Sequence, residues 1–286
     1  MAENYTEKLW KRNLKRFVNN RLALFGLIVF STITIMSIFA PIFTSYDPGG
    51  IDYDSFLQAP SMNHLFGTDE LGRDIFARIL YGGRVSIAVG IVSSVISGAI
   101  GIIFGALAGY FGGKVDTILV RLSEILLTLP NMIMILVLSA ILGPSVGNII
   151  LVLSIRGWMT TFRMVRNRFM SLKEEVYVEA SRSFGFSDWR IIFGDLLPNT
   201  LSPVVVSFSM NVAAFILTEA SLSFLGLGVP TGTPTWGNII NSAKSINIIQ
   251  NSWWVWLIPG MVISLFTLST NFIGDGLRDA MDAKQQ

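Results

Sequence analysis

The run from Val85 to Phe111 holds 27 residues without one Asp, Glu, Lys or Arg. A helix rises 1.5 Å per residue, so about 20 apolar residues cross the hydrocarbon core of a bilayer. Five further stretches meet or approach that length. Leu22–Ile42 and Trp253–Phe272 are also uncharged; Ile118–Leu142 contains Arg121 and Glu124, Val146–Phe162 contains Arg156, and Thr200–Leu227 contains Glu219. Val146–Phe162 is the shortest of the six. Composition decides between a soluble core and lipid: 51% of the chain is apolar, 14% is charged and the mean hydropathy is +0.58. A soluble protein of 286 residues needs a more charged surface. The reading is an all-α integral membrane protein with six transmembrane helices.

Leu22–Ile42 follows a basic head, as a signal peptide would. Its 21 residues exceed the secretory core of about 7–15, and no small-x-small cleavage site follows, so it reads as a retained anchor. Lys and Arg then fix the orientation. With the N-terminus inside, fifteen lie on the inner side and four on the outer, including Arg73, Arg78 and Arg84 ahead of the second stretch. Both termini are therefore read as cytoplasmic, and so are residues 172–198.

Ser93, Ser97, Gly101, Gly105 and Gly109 recur every four residues, a small-residue stripe that permits close helix approach where lipid supplies no hydrophobic drive. Packing within the chain is preferred over a dimer seam. Pro130, Pro203 and Pro259 lie inside apolar stretches and predict kinks. A net charge of +2 gives no general attraction to nucleic acid. With no cysteine, thiol catalysis and thiolate metal sites are excluded, and a lone histidine, His64, excludes a multi-histidine centre and reads as a solvated loop residue.

Between Glu174 and Asn199 the pattern changes. Val176, Tyr177, Ala180 and Phe184 follow a helical stripe, with Glu175, Glu179 and Arg182 left to water. Gly185 offers a C-terminal stop, and Ser187 is placed to cap a second helix. There Trp189, Ile192, Phe193 and Leu196 fall at i, i+3, i+4 and i+7, the spacing of one buried face. Pro198 closes the segment before the next span. The prediction is helix, glycine, helix, projecting into the cytoplasm.

This segment resembles the EAA motif of permease subunits in ATP-binding cassette importers. Glu179, Ala180 and Ser181 stand for Glu-Ala-Ala, Gly185 for the following glycine, and Leu197-Pro198 for the close. Ser181 replaces the second Ala, and Asp195 stands where Ile is frequent. Four more stretches, "HLFGTDELGRDIFARILYGGR" (64–84), "EASLSFLGLGVP" (219–230), "TPTWGNII" (233–240) and "GDGLRDAMD" (274–282), are similar to the C-type permease of peptide and nickel importers.

That resemblance implies a type I ABC importer permease fold. Residues 1–84 would form a cytoplasmic tail, the first span and an outer amphipathic segment, and residues 85–286 a five-helix core. Glu175, Tyr177, Glu179, Ala180, Ser181, Phe184 and Gly185 would dock on a cytoplasmic ATPase. Trp189, Ile192, Phe193, Leu197 and Pro198 would root that contact in the bundle. No phosphate loop is present, and "GYFGGKV" (109–115) lacks both the glycine spacing and the hydroxyl, so ATP and Mg belong to the partner subunits. One EAA segment implies a second, related permease, hence a heterodimeric pore in a prokaryotic inner membrane. Two ATPases and an extracytoplasmic binding protein complete the implied assembly. Peptides are the expected substrate, with nickel chelates or oligosaccharides as alternatives.

The charges within the spans remain. Arg121 and Glu124, three apart, can neutralise each other, and Arg156 is placed near the inner interface, where it can snorkel. Glu219 has no basic residue in its own span. It is read, with Ser221 and Ser223, as lining the translocation path, against a buried hydrogen bond as the alternative. Leu71, Ile75, Ile79 and Leu80 form an apolar stripe expected to lie along the outer interface. A short helix is expected from Gly237 to Ile249. A secondary carrier would show inverted repeats and acid-rich broken helices, and a membrane enzyme would show clustered His, Cys or acids inside the spans; neither pattern is found.

Overall fold

The structure is a computed structural model that describes residues 2–281, with side chains from Lys11 onward; Asp282 of the last quoted stretch and Lys284, one of the fifteen inner cations, lie outside the described residues. Every long element is helical. α1 (Ala2–Asn19) leads to α2 (Arg21–Ile38), which is capped by Asn20, whose side-chain oxygen accepts from the N–H groups of Leu22 and Ala23. The single turn α3 (Ala40–Phe43) and an irregular segment precede α4 (Ile75–Phe111). Then come α5 (Gly113–Thr128), α6 (Asn131–Leu142), α7 (Val146–Leu172), α8 (Val176–Ser183), α9 (Asp188–Arg190) and α10 (Leu197–Leu225). α11 (Trp236–Ile240), α12 (Ile246–Asn251) and α13 (Trp253–Met281) complete the order.

By length and composition four helices can cross a membrane: Arg21–Ile38, Ile75–Phe111, Asp188–Leu225 and Trp253–Met281. The third expected span is not one rod, because α5 and α6 meet at 89° across Leu129-Pro130 and make a fifth crossing only as a broken pair. Proline has no N–H to continue the ladder and forces the residue before it out of helix; Leu129 is accordingly extended at φ −81°, ψ 132°. The fourth expected stretch continues to Leu172 within α7, whose arginines at 156, 163, 166 and 168 leave it too polar for the same test.

The small-residue stripe explains the closest helix pair. A Cβ on Gly101 would stand 2.8 Å from the Trp158 carbonyl, on Gly105 2.8 Å from that of Phe162, and on Gly109 2.7 Å from that of Arg166. α4 and α7 therefore touch backbone to backbone, and the stripe serves packing within the chain. A second core joins α4, α10, α11 and α13 around Trp236, which is fully buried and donates its indole N–H to the Ile79 carbonyl at 3.0 Å.

Two readings of the segment before Val85 are corrected. Ile75, Ile79 and Leu80 do not lie along an interface; they are buried in the first turns of α4, Ile75 and Ile79 within the Trp236 core. Asp74 starts that helix by accepting from the Ala77 N–H at 2.7 Å. His64 is not solvated either: its Nδ1 lies 2.9 Å from Asp74 Oδ2, and Tyr46 covers its ring. The expected 237–249 helix is broken into α11, a 3-10 turn over Asn241–Lys244, and α12.

Candidate functional site

At one end of the bundle, α8 stands beyond the last turn of α7. Its C-terminus is closed by a Schellman turn. The Phe186 N–H bonds the Ser181 carbonyl, the Gly185 N–H bonds that of Arg182, and Gly185 takes φ +77°. Ser187 occupies the next N-cap position, but its side chain accepts no bond there. From Asp188 the chain runs as continuous helix into α10. The turn Ile191–Leu196 is π-helical, with the Leu197 N–H reaching Ile192, five residues back. Pro198 therefore does not close the segment. It is the second residue of α10, inside the continuous helix and directly after the π turn, where the ladder lacks its N–H.

Burial reverses part of the sequence reading. Val176 and Phe184 are each 79% exposed, and Tyr177 and Ala180 are exposed as well, so the apolar stripe of α8 faces away from its own protein. Val178 is the root instead, fully buried with Phe169, Leu172, Ile191, Ile192 and Leu196. Ile192 and Leu196 pack as expected. Trp189 and Phe193 do not; they stack on each other at 5.9 Å on the outside. The widened π turn shifts successive side chains around the axis, so i, i+3, i+4, i+7 no longer share one face.

The segment is braced at three points. Ser181 Oγ donates to Asp195 Oδ2 at 2.8 Å, Tyr110 at the end of α4 donates to Asp188 Oδ1 at 2.6 Å, and Arg182 lies over the Tyr110 ring. Behind it, Arg166 of α7 grips Asp116 of α5 through both carboxylate oxygens, with Nη2 at 2.6 Å from Oδ2. Burial pushes the Tyr177 hydroxyl above the usual phenol range, with the Glu175 and Asp195 carboxylates adding to it, so it stays protonated at neutral pH. Glu175 and Glu179 are exposed, without an ion pair among the described residues. The result is a rigid stub with an unpacked apolar cap, tied to α4, α7 and α10.

Residues 101–285, which include this stub and both helices that root it, match the binding-protein-dependent transport system inner membrane component model. The chain belongs to that family. Residues 8–60 match the N-terminal transmembrane domain of oligopeptide transport permease C. The permease is 38% identical to the dipeptide transport system permease protein DppC of Bacillus subtilis over 281 residues, 98% of this chain and 86% of that one. It is 37% identical to the oligopeptide transport system permease protein OppC of the same organism over 286 residues, 99% of this chain and 93% of that one. The fold matches a chain of the MetNI methionine ABC transporter in an inward-facing form. That match has TM-score 0.57 and 20% identity, and covers 72% of this chain and 97% of that one. The permease is thus a multi-pass inner-membrane component of a binding-protein-dependent ABC transport system, and is not its catalytic subunit.

The membrane charges of the permease fall into three cases. Arg121 and Glu124 pair at 3.1 Å. Glu219 is completely buried in a cage of hydroxyls. Ser86 of α4 donates to its Oε2 at 3.0 Å, Ser223 donates to Oε1 at 2.7 Å, and Thr235 completes the set. Ser86 also accepts from the Trp236 N–H, so Glu219 ties α4, α10 and α11 together. Ser223 is buried beside it, while half-buried Ser221 lines a shallow groove between α10 and α13. Sequence periodicity finds only Ser223, one turn from Glu219; Ser86 and Thr235 lie too far along the chain.

Arg156 is the third case, and the contacts beside it fix its level against α4. A Cβ on neighbouring Gly157 would lie 3.1 Å from Ser97 Cβ, and Ser154 Oγ approaches the Ser93 carbonyl. Ser97 lies 14 residues from the end of α4 at Phe111, or about 21 Å along the helix.

Proposed function

We propose that this permease forms half of the translocation pore of a peptide importer and receives the stroke of its ATPases through α8. The single observation that carries the coupling role is the burial pattern of α8: one rooted valine, and an exposed outer face of Val176, Tyr177, Ala180 and Phe184. An amphipathic loop serving only its own protein would bury that stripe. A docking helix must leave it free and must be held stiffly enough to pass a displacement to α4 and α10.

The rest of the reading is assembled around this contact. Six spans require the α5–α6 pair to count as one crossing and polar α7 to cross beside α4. Both termini and α8 then lie in the cytoplasm, as the distribution of Lys and Arg favours. A second, related permease completes the pore. Two ATPases hold ATP and Mg, and a binding protein delivers substrate from outside. Peptides are favoured because relatives at 38% and 37% identity over nearly the whole chain are named dipeptide and oligopeptide permeases.

Co-expression with its partner subunits tests the reading. The complex should retain the ATPase through purification and, with its binding protein, import a labelled di- or oligopeptide into vesicles supplied with ATP. Phe184→Asp should release the ATPase while this chain stays folded. Retention of the ATPase together with full transport in that variant would overturn the docking role.

A further inference from the structure

Arg156 has no counter-ion among the described residues. Its Nε is buried without a hydrogen-bond partner, and its Nη1 approaches only the Met159 sulfur, at 3.9 Å. On α7 it begins a stripe. Thr160, Arg163 and Asn167 follow at i+4, i+7 and i+11, all three exposed, while Trp158, Phe162, Val165 and Phe169 are buried on the opposite side, where the helix meets α4. A face with two arginines, a threonine and an asparagine cannot rest against acyl chains. Water or a polar ligand must meet it. The alternative charged candidate, Glu219, is sealed away by its hydroxyls.

We propose that this face of α7 lines the translocation path and that Arg156 binds the C-terminal carboxylate of the transported peptide. The inference rests on the peptide-importer reading above. The two Nη groups of a guanidinium present parallel donors that fit a carboxylate, and no acid among the described residues occupies those of Arg156. The C-terminal carboxylate is the one acid present in every peptide whatever its side chains, so a cation that reads it serves a permease accepting many sequences. α10, whose Phe215 packs against Gly157, carries another buried donor without a partner, Asn211 Nδ2, one helical turn from Phe215. It is suited to a peptide carbonyl.

The test uses the assembled transporter in vesicles, with alanyl-alanine and its C-terminal amide as probes. Because the binding protein is the same throughout, any change in the ratio of the two uptake rates belongs to the permease. Arg156→Gln should lower uptake of the free acid by roughly ten- to a hundredfold, the range of a lost charge-assisted hydrogen bond, and bring the acid-to-amide ratio down towards that of a carboxylate-blind permease. Arg156→Lys should keep part of the preference. The chain contains no cysteine, so Thr160→Cys gives a single site, to be labelled with a charged methanethiosulfonate and read on this chain by mass. It should label, whereas Val95→Cys, exposed on α4 away from the stripe, should not. Equal loss of acid and amide uptake, or labelling at Thr160→Cys no faster than at Val95→Cys, would overturn the proposal and favour a partner-subunit acid as the mate of Arg156. If the wild-type complex imports neither probe, the peptide reading fails, and labelling still decides whether α7 faces the path.

Discussion

Ser181 Oγ donates to Asp195 Oδ2 across 2.8 Å, joining α8 to the π turn ahead of α10. These are the two positions at which the segment departs from the EAA pattern, and they are one interaction. A hydroxyl has one proton. Although the Tyr177 carbonyl also lies 3.1 Å from Ser181 Oγ, the charged acceptor is nearer and takes it. Ser181→Ala should cost about 1 kcal/mol, the lower range for a bond to a charged group because both residues are half-buried. Combining it with Asp195→Ile should cost less than the two single changes added. A double-mutant cycle on thermal unfolding in detergent measures the coupling, and strict additivity would show that the bond contributes nothing.

Gly185 is held at φ +77° with no atom near its missing Cβ, so substitution there meets strain and not a clash. Asn tolerates the left-handed region and should be mild. Val should cost about 1–2 kcal/mol locally and splay α8 from its root. Transport-coupled ATP hydrolysis should fall in Gly185→Val and survive in Gly185→Asn. Equal loss in both would mean that backbone conformation is not what matters.

The α4–α7 seam predicts a sharp contrast between two glycines of one helix. At Gly105 an added Cβ stands 2.7 Å from Val165 Cβ, whereas at Gly98 nothing lies within 4 Å. Gly105→Ala should destabilise by about 1–3 kcal/mol through overpacking, and Gly105→Leu should prevent folding. Gly98→Ala should be neutral or slightly stabilising, since alanine is the better helix former. The yield of monodisperse protein and its melting temperature give the comparison.

Glu219 should behave as a strut. Replacing it with Leu leaves the Ser86, Ser223 and Thr235 hydroxyls without their acceptor and should cost about 3 kcal/mol, whereas Gln, which keeps the shape and one acceptor oxygen, should cost about 1–2. Transport per folded Glu219→Gln complex should stay near wild type. Abolished transport at an unchanged melting temperature would place Glu219 in the path after all.

The sequence by itself determined that the chain belongs in a membrane, which helices dominate, where glycine ends α8, and that the serine–glycine stripe is a packing seam. Each of these rests on composition or on a local period, quantities that a linear string carries. Only the tertiary structure decided which way the faces point. Val176, Tyr177, Ala180 and Phe184 read as one apolar stripe, and the structure leaves that stripe exposed while Val178 roots α8 against Phe169 and Leu172 of α7 and Ile191, Ile192 and Leu196 of the π turn. Glu219 read as a charge in search of a path; its partners come from an α4 serine 133 positions away and from Thr235 in the loop before α11. Facing and long-range partnership depend on how helices are placed against one another, and no periodicity within a single helix encodes them.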